Sequence, residues 1–227
     1  MTNAAAPRRG LREWIVRSLI LMAGLTVAHF GVTLFLLSDL GSDPFNVLVQ
    51  GVYRRLSGLA FLTHGRTHMG ISLLIILVLL LTDRHYVKIG TVLCMVCGGP
   101  IIDLFTLLLG PLLGGLSSLP ARVLMLAAGC VILACGMTIV IKSDAGTGPN
   151  DLVGVVLSDK LRTKFSLTRL AVDALFALSG YLLGGLVGLG TVICVALVGP
   201  VAGFFLPISE RLVDRLLRRF CPDAVTG

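Results

Sequence analysis

The chain of 227 residues is 56% hydrophobic and 14% charged, with a formal net charge of +7. A soluble domain is about a quarter charged, so this composition excludes an ordinary water-soluble protein and makes the lipid bilayer the natural solvent. The basic residues lie at the ends of apolar runs and near the C-terminus, a pattern of membrane topology and not of nucleic-acid binding.

In chain order, residues 1–13 read as a polar cytoplasmic leader with Arg8, Arg9 and Arg12. The first apolar run, Trp14 to Leu37, is too long for a signal-peptide core and lacks a small-residue cleavage site, so it is expected to span the membrane. It carries Gly24, His29 and Gly31, and the two glycines share a face that another helix could approach closely. A polar stretch follows, Ser38-Asp39-Leu40-Gly41-Ser42-Asp43-Pro44-Phe45-Asn46. Asp43 suits an N-cap and Pro44 a first helical position, predicting a helix from Pro44 to about Leu56 that is too short to cross. It either dips into the bilayer or lies on it.

Further spans are expected at about Gly65–Leu81 and Val87–Leu109, the latter kinked or broken at Gly98-Gly99-Pro100. An uncharged link, residues 111–120, separates a first membrane repeat (14–110) from a second (121–207). The second repeat has a span at about Ala121–Ile141 and then Ser143-Asp144-Ala145-Gly146-Thr147-Gly148-Pro149-Asn150-Asp151. A short helix from about Pro149 to Leu161 and spans at Leu167–Leu183 and Leu189–Leu206 complete it. Residues 208–227 form a basic tail, amphipathic to Phe220, expected on the cytoplasmic surface.

The two polar stretches are copies of one another. Adding 105 to residues 17–48 aligns them with residues 122–153 without a gap, with 11 of 32 positions identical, including Gly24/Gly129, Gly31/Gly136, Asp39/Asp144, Gly41/Gly146 and Pro44/Pro149. Later segments align at an offset of 100, as in Gly90-Thr91 with Gly190-Thr191 and Gly99-Pro100 with Gly199-Pro200. Each half holds three spans and one short helix, and an odd number of crossings turns the second half upside down. The expected fold is therefore all-α and polytopic: six transmembrane helices, two half or interfacial helices and a 3+3 inverted repeat. With both termini cytoplasmic, most basic residues fall inside. Eight spans with parallel repeats is the second topology, and it moves Arg84 and Lys88 outside.

Helix N-termini at the two Gly-x-x-Pro turns favour anions or carboxylates. Inverted-repeat transporters place such breaks at a midplane site. The candidate binding residues are Ser42, Asp43, Asn46, Gln50, Thr147, Asn150 and Asp151, with Arg66 and Arg169 near equivalent positions of their halves. The alternative is that these are surface turns starting interfacial helices. Asp103 and Asp173 are the carboxylates deepest in spans and are candidates for coupling, although Arg169 can pair with Asp173 four residues on. His29 aligns with Ala134 and reads as a helix-packing residue. Cys94-x-x-Cys97 is not repeated and reads as core. No Walker loop, nucleophile elbow or HExxH motif occurs, so neither enzyme activity nor a cofactor or metal is expected.

The run Gly41-Ser-Asp-Pro44-Phe-Asn-Val-Leu, the run Gly146-Thr-Gly-Pro149-Asn-Asp-Leu, and Gly184-Gly-Leu-Val-Gly188-Leu-Gly-Thr191 closing on Gly199-Pro200 resemble the YczE-like membrane proteins, a bacterial group akin to the YyaS and YitT proteins. The resemblance covers residues 15–207. Phe45 stands where that group commonly has tryptophan, which keeps an aromatic contact but not an indole hydrogen bond. The resemblance implies a multi-pass protein of the bacterial inner membrane and names no substrate. The expected function is a small permease or exporter for a small polar or anionic solute. The other reading is a non-transporting binding or accessory subunit of a larger complex; under either, the expected partners are the lipid bilayer, the solute, and a second copy of the chain or a partner membrane subunit.

Overall fold

The structure is a computed structural model and describes residues 10–163 and 165–222. Arg8, Arg9, Lys164 and residues 223–227 of the expected leader, cytoplasmic loop and tail lie outside the described residues. The described chain forms eight α-helices: α1 (Leu11–Ser38), α2 (Pro44–Arg55), α3 (His64–Asp83), α4 (Ile89–Leu113), α5 (Leu119–Ser143), α6 (Pro149–Leu161), α7 (Phe165–Leu182) and α8 (Leu189–Phe220), with a short 3-10 turn at Arg84–Tyr86. Five of them, α1, α3, α4, α5 and α8, are long and apolar enough to cross a bilayer. The 18-residue α7, with Arg169 and Asp173 on it, is not among the five.

The centre of the fold is an antiparallel mate of α1 and α5. Glycine makes it possible, because only a missing Cβ lets two backbones come this close. A Cβ on Gly31 would lie 2.6 Å from the Gly129 carbonyl oxygen, and one on Gly136 would lie 2.6 Å from the Gly24 carbonyl oxygen. Gly24 and Gly129 are repeat equivalents, as are Gly31 and Gly136, so the contact is reciprocal.

The same reciprocity holds at both ends. Arg17 donates to the Ser143 carbonyl at 3.0 Å, and its equivalent Arg122 donates to the Ser38 carbonyl at 2.6 Å. Ser38 and Ser143 each end a helix, where the last carbonyls have no partner within the helix and a guanidinium satisfies them. Asp39 and Asp144 follow in the left-handed conformation, with φ of 49° and 52°.

Beyond each aspartate the chain docks on the other half. The Gly190 N–H donates to the Leu40 carbonyl at 2.8 Å, and the Gly90 N–H donates to the Ala145 carbonyl at 3.0 Å. Gly41 and Gly146 adopt positive φ (117° and 152°) against Thr191 and Thr91, where a Cβ would meet atoms at 2.6 Å. Two apolar clusters match position by position. One holds Leu21, Leu25, Cys94, Val140 and Ala145. The other holds Leu126, Cys130, Cys194, Phe35 and, partly buried, Leu40.

Two expectations need correction. α4 is helical throughout Ile89–Leu113, so Gly98-Gly99-Pro100 does not end it. Those glycines serve packing instead: a Cβ on Gly99 would meet the Gly65 backbone of α3, and this close contact holds the segment helical despite the lost hydrogen bond. The last expected span and the basic tail are one helix, α8, of 32 residues, continuous past Pro200 and Pro207. At 1.5 Å per residue it is ~48 Å long, against ~30 Å of hydrocarbon. Its end is held by Val213 and Leu217, buried against Ile20 of α1. Lys142 pairs with Glu210 at 2.9 Å, and Thr138 and Ser209 share a hydrogen bond at 2.7 Å. The start of α1 and the end of α8 therefore pack at the same end of the molecule.

Gly31→Ala is expected to lower the midpoint of thermal aggregation in detergent, with a loss of about 1–3 kcal/mol from overpacking. Gly70→Ala, where a Cβ meets open space, is expected to leave it unchanged or raised. Size-exclusion chromatography after a heating series measures both.

Candidate functional site

The first turn of α2 is built from its own sequence. Asp43 is extended at the N-cap, and its Oδ1 accepts from the Asn46 backbone N–H at 3.2 Å, while Pro44 occupies the first helical position, which needs no N–H. The other carboxylate oxygen accepts from Asn46 Nδ2 at 2.7 Å and from Ser42 Oγ at 3.3 Å. Asn46 thus donates through its nitrogen, so its Oδ1 accepts from His64 Nε2 at 3.2 Å, which places a proton on that nitrogen. A chain of four polar side chains results: His64, Asn46, Asp43 and Ser42.

The equivalent turn of α6 begins at Gly148, which has no side chain to cap the helix. Asn150 Nδ2 donates to Asp151 Oδ1 at 3.1 Å. Arg169 of α7 donates through one amino group to the same Asp151 oxygen and through Nε to Asp173 Oδ2 at 2.9 Å. Asp43 also lies within electrostatic reach of Arg169 and of Asp173. One guanidinium is thus bonded directly to two carboxylates, with a third within electrostatic reach.

Both turns open on one cavity of about 560 Å³. Asp43, Pro44, Phe45 and Asn46 line it from the first half. Thr147, Gly148, Asn150, Asp151, Arg169 and Asp173 line it from the second. The remaining wall is mainly aliphatic, from α1, α5 and α8, with Leu25, Leu133, Val140 and Val198 among its members. The volume falls within the ~300–1,000 Å³ typical of small-molecule sites, and an apolar wall with few convergent polar groups is their usual chemistry.

Seven of the eleven residues singled out in the sequence therefore meet: Asp43, Asn46, Thr147, Asn150, Asp151, Arg169 and Asp173. Ser42 is buried behind Asp43. Gln50 lies one turn further along α2, and its Oε1 accepts from the Leu186 backbone N–H at 2.7 Å, tying α2 to the Gly184–Gly188 turn. Arg66 donates to the Phe61 carbonyl near the exposed start of α3. Asp103 accepts from Thr63 Oγ1 at 2.5 Å and from the Gly65 N–H at 2.9 Å, so its carboxylate holds the start of α3 from the neighbouring α4. These four do not line the cavity.

His64 and His68 add to the site what the sequence reading passed over, and His29, read there as a helix-packing residue, lines the cavity as well. His29 and His68 line the cavity with ring centroids 5.6 Å apart, and Phe45 meets His68 edge-on at 5.2 Å. His29 Nδ1 donates to the Leu25 carbonyl at 2.9 Å. A Cβ on Gly98 would lie 2.8 Å from His29 Nε2, so the missing side chain there makes room for the ring. His68 is 7% exposed, and its Nδ1 is buried without a hydrogen-bond partner among the described residues. The spacing of His64 and His68, four apart at the start of a long apolar helix, is the signal that could have found them. Among the described residues, no three His, Cys, Asp or Glu side chains are grouped to hold a metal ion. The six cysteines are all free.

Arg169→Gln is expected to destabilise the protein by about 1–3 kcal/mol, because it leaves the Asp151 and Asp173 carboxylates unpaired in a partly buried setting. Asp151→Asn in the same chain is expected to restore part of the loss. A double-mutant cycle on thermal unfolding in detergent reads the coupling.

With the geometry established, relatives place the chain. It is 26% identical over 209 residues to the uncharacterised membrane protein YczE of Bacillus subtilis (strain 168), covering 92% of this chain and 94% of that protein. It is 29% identical over 195 residues to an uncharacterised protein of Haemophilus influenzae, covering 85% and 84%. It is 26% identical over 189 residues to the uncharacterised protein YyaS of Bacillus subtilis, covering 83% and 91%. No solved structure matches. The model of a family of unknown function, DUF6198, matches residues 15–207, which takes in every residue that lines the cavity and both polar turns, and the chain belongs to that family of helical membrane proteins.

Proposed function

We propose that this protein is a small permease or exporter that carries a small polar solute through the cavity between two inverted halves. One observation carries the reading: the two copies of the polar turn, 105 residues apart, line the same cavity. Surface turns that merely started interfacial helices would have no reason to converge.

Several features support the arrangement that transport needs. The helices α2 and α6, of 12 and 13 residues, are only ~18–20 Å long and cannot cross the hydrocarbon. Each starts at the cavity, as the broken helices of inverted-repeat transporters do. The reciprocal contacts of α1 with α5 are those of two equivalent helices related by a two-fold axis perpendicular to their length. In this reading α7 is the sixth span, its two charges paired inside the protein.

The packing of the α8 end against the α1 start supports termini on one side, which the positive-inside pattern makes cytoplasmic. The membrane is then the bacterial inner membrane. Alternating access follows from rocking one half against the other about the α1–α5 mate. Its glycine faces are smooth enough to pivot, and the arginine–carbonyl contacts at its ends can be exchanged.

Protein reconstituted in liposomes is expected to give solute flux above protein-free liposomes. Thr147→Trp, which fills the cavity from the α6 turn, is expected to abolish that flux while the protein keeps its elution volume. Solute binding with no flux in any loading direction contradicts a permease and supports a binding or accessory subunit.

A further inference from the structure

The charge balance of the cavity narrows what it binds. A helix N-terminus carries about half a positive charge, and two of them, α2 and α6, face the cavity with the Arg169 guanidinium. Read from these alone, the site favours an anion. Each N-terminus, however, brings its own carboxylate: Asp43 caps α2 and Asp151 lies in the first turn of α6. Asp173 is the third. Counted as ionised, three carboxylates outweigh one guanidinium and two helix ends by about one negative charge. Behind it lies an aliphatic and aromatic wall, with Phe45, His29 and His68 on one side.

A second observation, independent of the charge count, is an unpaired polar group on the cavity wall. His68 is buried on the cavity wall with Nδ1 unpartnered among the described residues. Burying such a nitrogen without a hydrogen bond is costly, so a buried orphan is a place where a bound polar group gains most. With the His68 proton on Nε2, Nδ1 accepts from an ammonium N–H, and carboxylates and aromatic faces complete the surroundings of that group. An inorganic cation would leave the apolar wall unused, and an anion would face the excess carboxylate.

We infer that the cavity takes a small organic monocation, an ammonium group on an apolar body, with the ammonium between Asp43 and Asp173 and the body against the aliphatic wall of α1, α5 and α8. This inference rests on reading the cavity as a solute site, and it deepens that reading by naming the class of solute.

The test uses the full chain in lipid nanodiscs and two probes of like size and opposite charge, benzylammonium and benzoate, titrated by calorimetry. Benzylammonium is expected to bind and benzoate not. Asp43→Asn and Asp173→Asn are each expected to weaken benzylammonium by about tenfold or more, the scale of one lost charge-assisted contact. Asp43→Glu, which keeps the charge, is expected to retain most of the affinity. Size-exclusion profiles identify any variant that fails to fold, and the other aspartate then serves.

Benzoate binding as tightly as benzylammonium overturns the inference, as does binding of neither probe, or benzylammonium binding untouched by both substitutions in folded protein. Flux of benzylammonium into liposomes is measured separately. Binding without flux upholds the class of solute and removes the permease reading. Flux of benzoate without binding or flux of benzylammonium upholds the permease and removes the class.

Discussion

The antiparallel approach of α1 to α5 is the constraint from which the other features follow. Four glycines, Gly24, Gly31, Gly129 and Gly136, remove the side chains that would hold the backbones apart. Two arginines then bracket the pair, each satisfying the last carbonyls of the opposite helix. In lipid there is no hydrophobic drive to bring helices together, so close packing and satisfied backbone groups must supply it. Every element of this mate occurs twice, and each copy completes the other.

Once the mate is fixed, the polar turns are placed by it. Each leaves its helix through a left-handed aspartate and a glycine at positive φ, and is pinned by a backbone hydrogen bond to the opposite half. The short helices then begin inside the protein, where irregular backbone is tolerated because it lines a cavity and not lipid. Charge brought so deep has to be answered locally. Arg169 answers Asp151 and Asp173, and Asn46 with Ser42 answers Asp43. These ties cost desolvation and return geometry: polar groups from both halves held at one cavity. The halves are alike in scaffold and unlike in chemistry. Asp43 stands opposite Gly148 in the repeat and Asn46 opposite Asp151, so the cavity is not a symmetric copy of itself.

Much of the scaffold was legible because symmetry left marks that apolar composition does not blur. Gly, Pro and Asp repeated at fixed offsets marked both turns, and Pro44 after Asp43 announced the start of α2. Five cavity residues followed from the turns, and Arg169 and Asp173 from their place as charges in a span. What escaped it depended on contacts between helices. Gly98-Gly99-Pro100 read as a kink or break, but α4 continues through it, with Gly99 packed on the Gly65 backbone of α3. Asp103 read as a lone intramembrane carboxylate, while its partners, Thr63 and Gly65, lie 40 and 38 residues away in the chain. His68 drew no notice because its role comes from its neighbours His29 and Phe45, which the sequence does not place beside it.

The central claim is that one structural element is used twice, in opposite orientations, to form one site. Asp39 and Asp144, equivalent residues with substantially exposed side chains at opposite ends of the α1–α5 mate, report it directly. In a chain freed of its native cysteines, Asp39→Cys and Asp144→Cys are labelled in intact cells and in inverted vesicles with a membrane-impermeant maleimide. The account predicts that cysteine 39 reacts only from outside and cysteine 144 only from the cytoplasmic face. Labelling of both from the same face would contradict it.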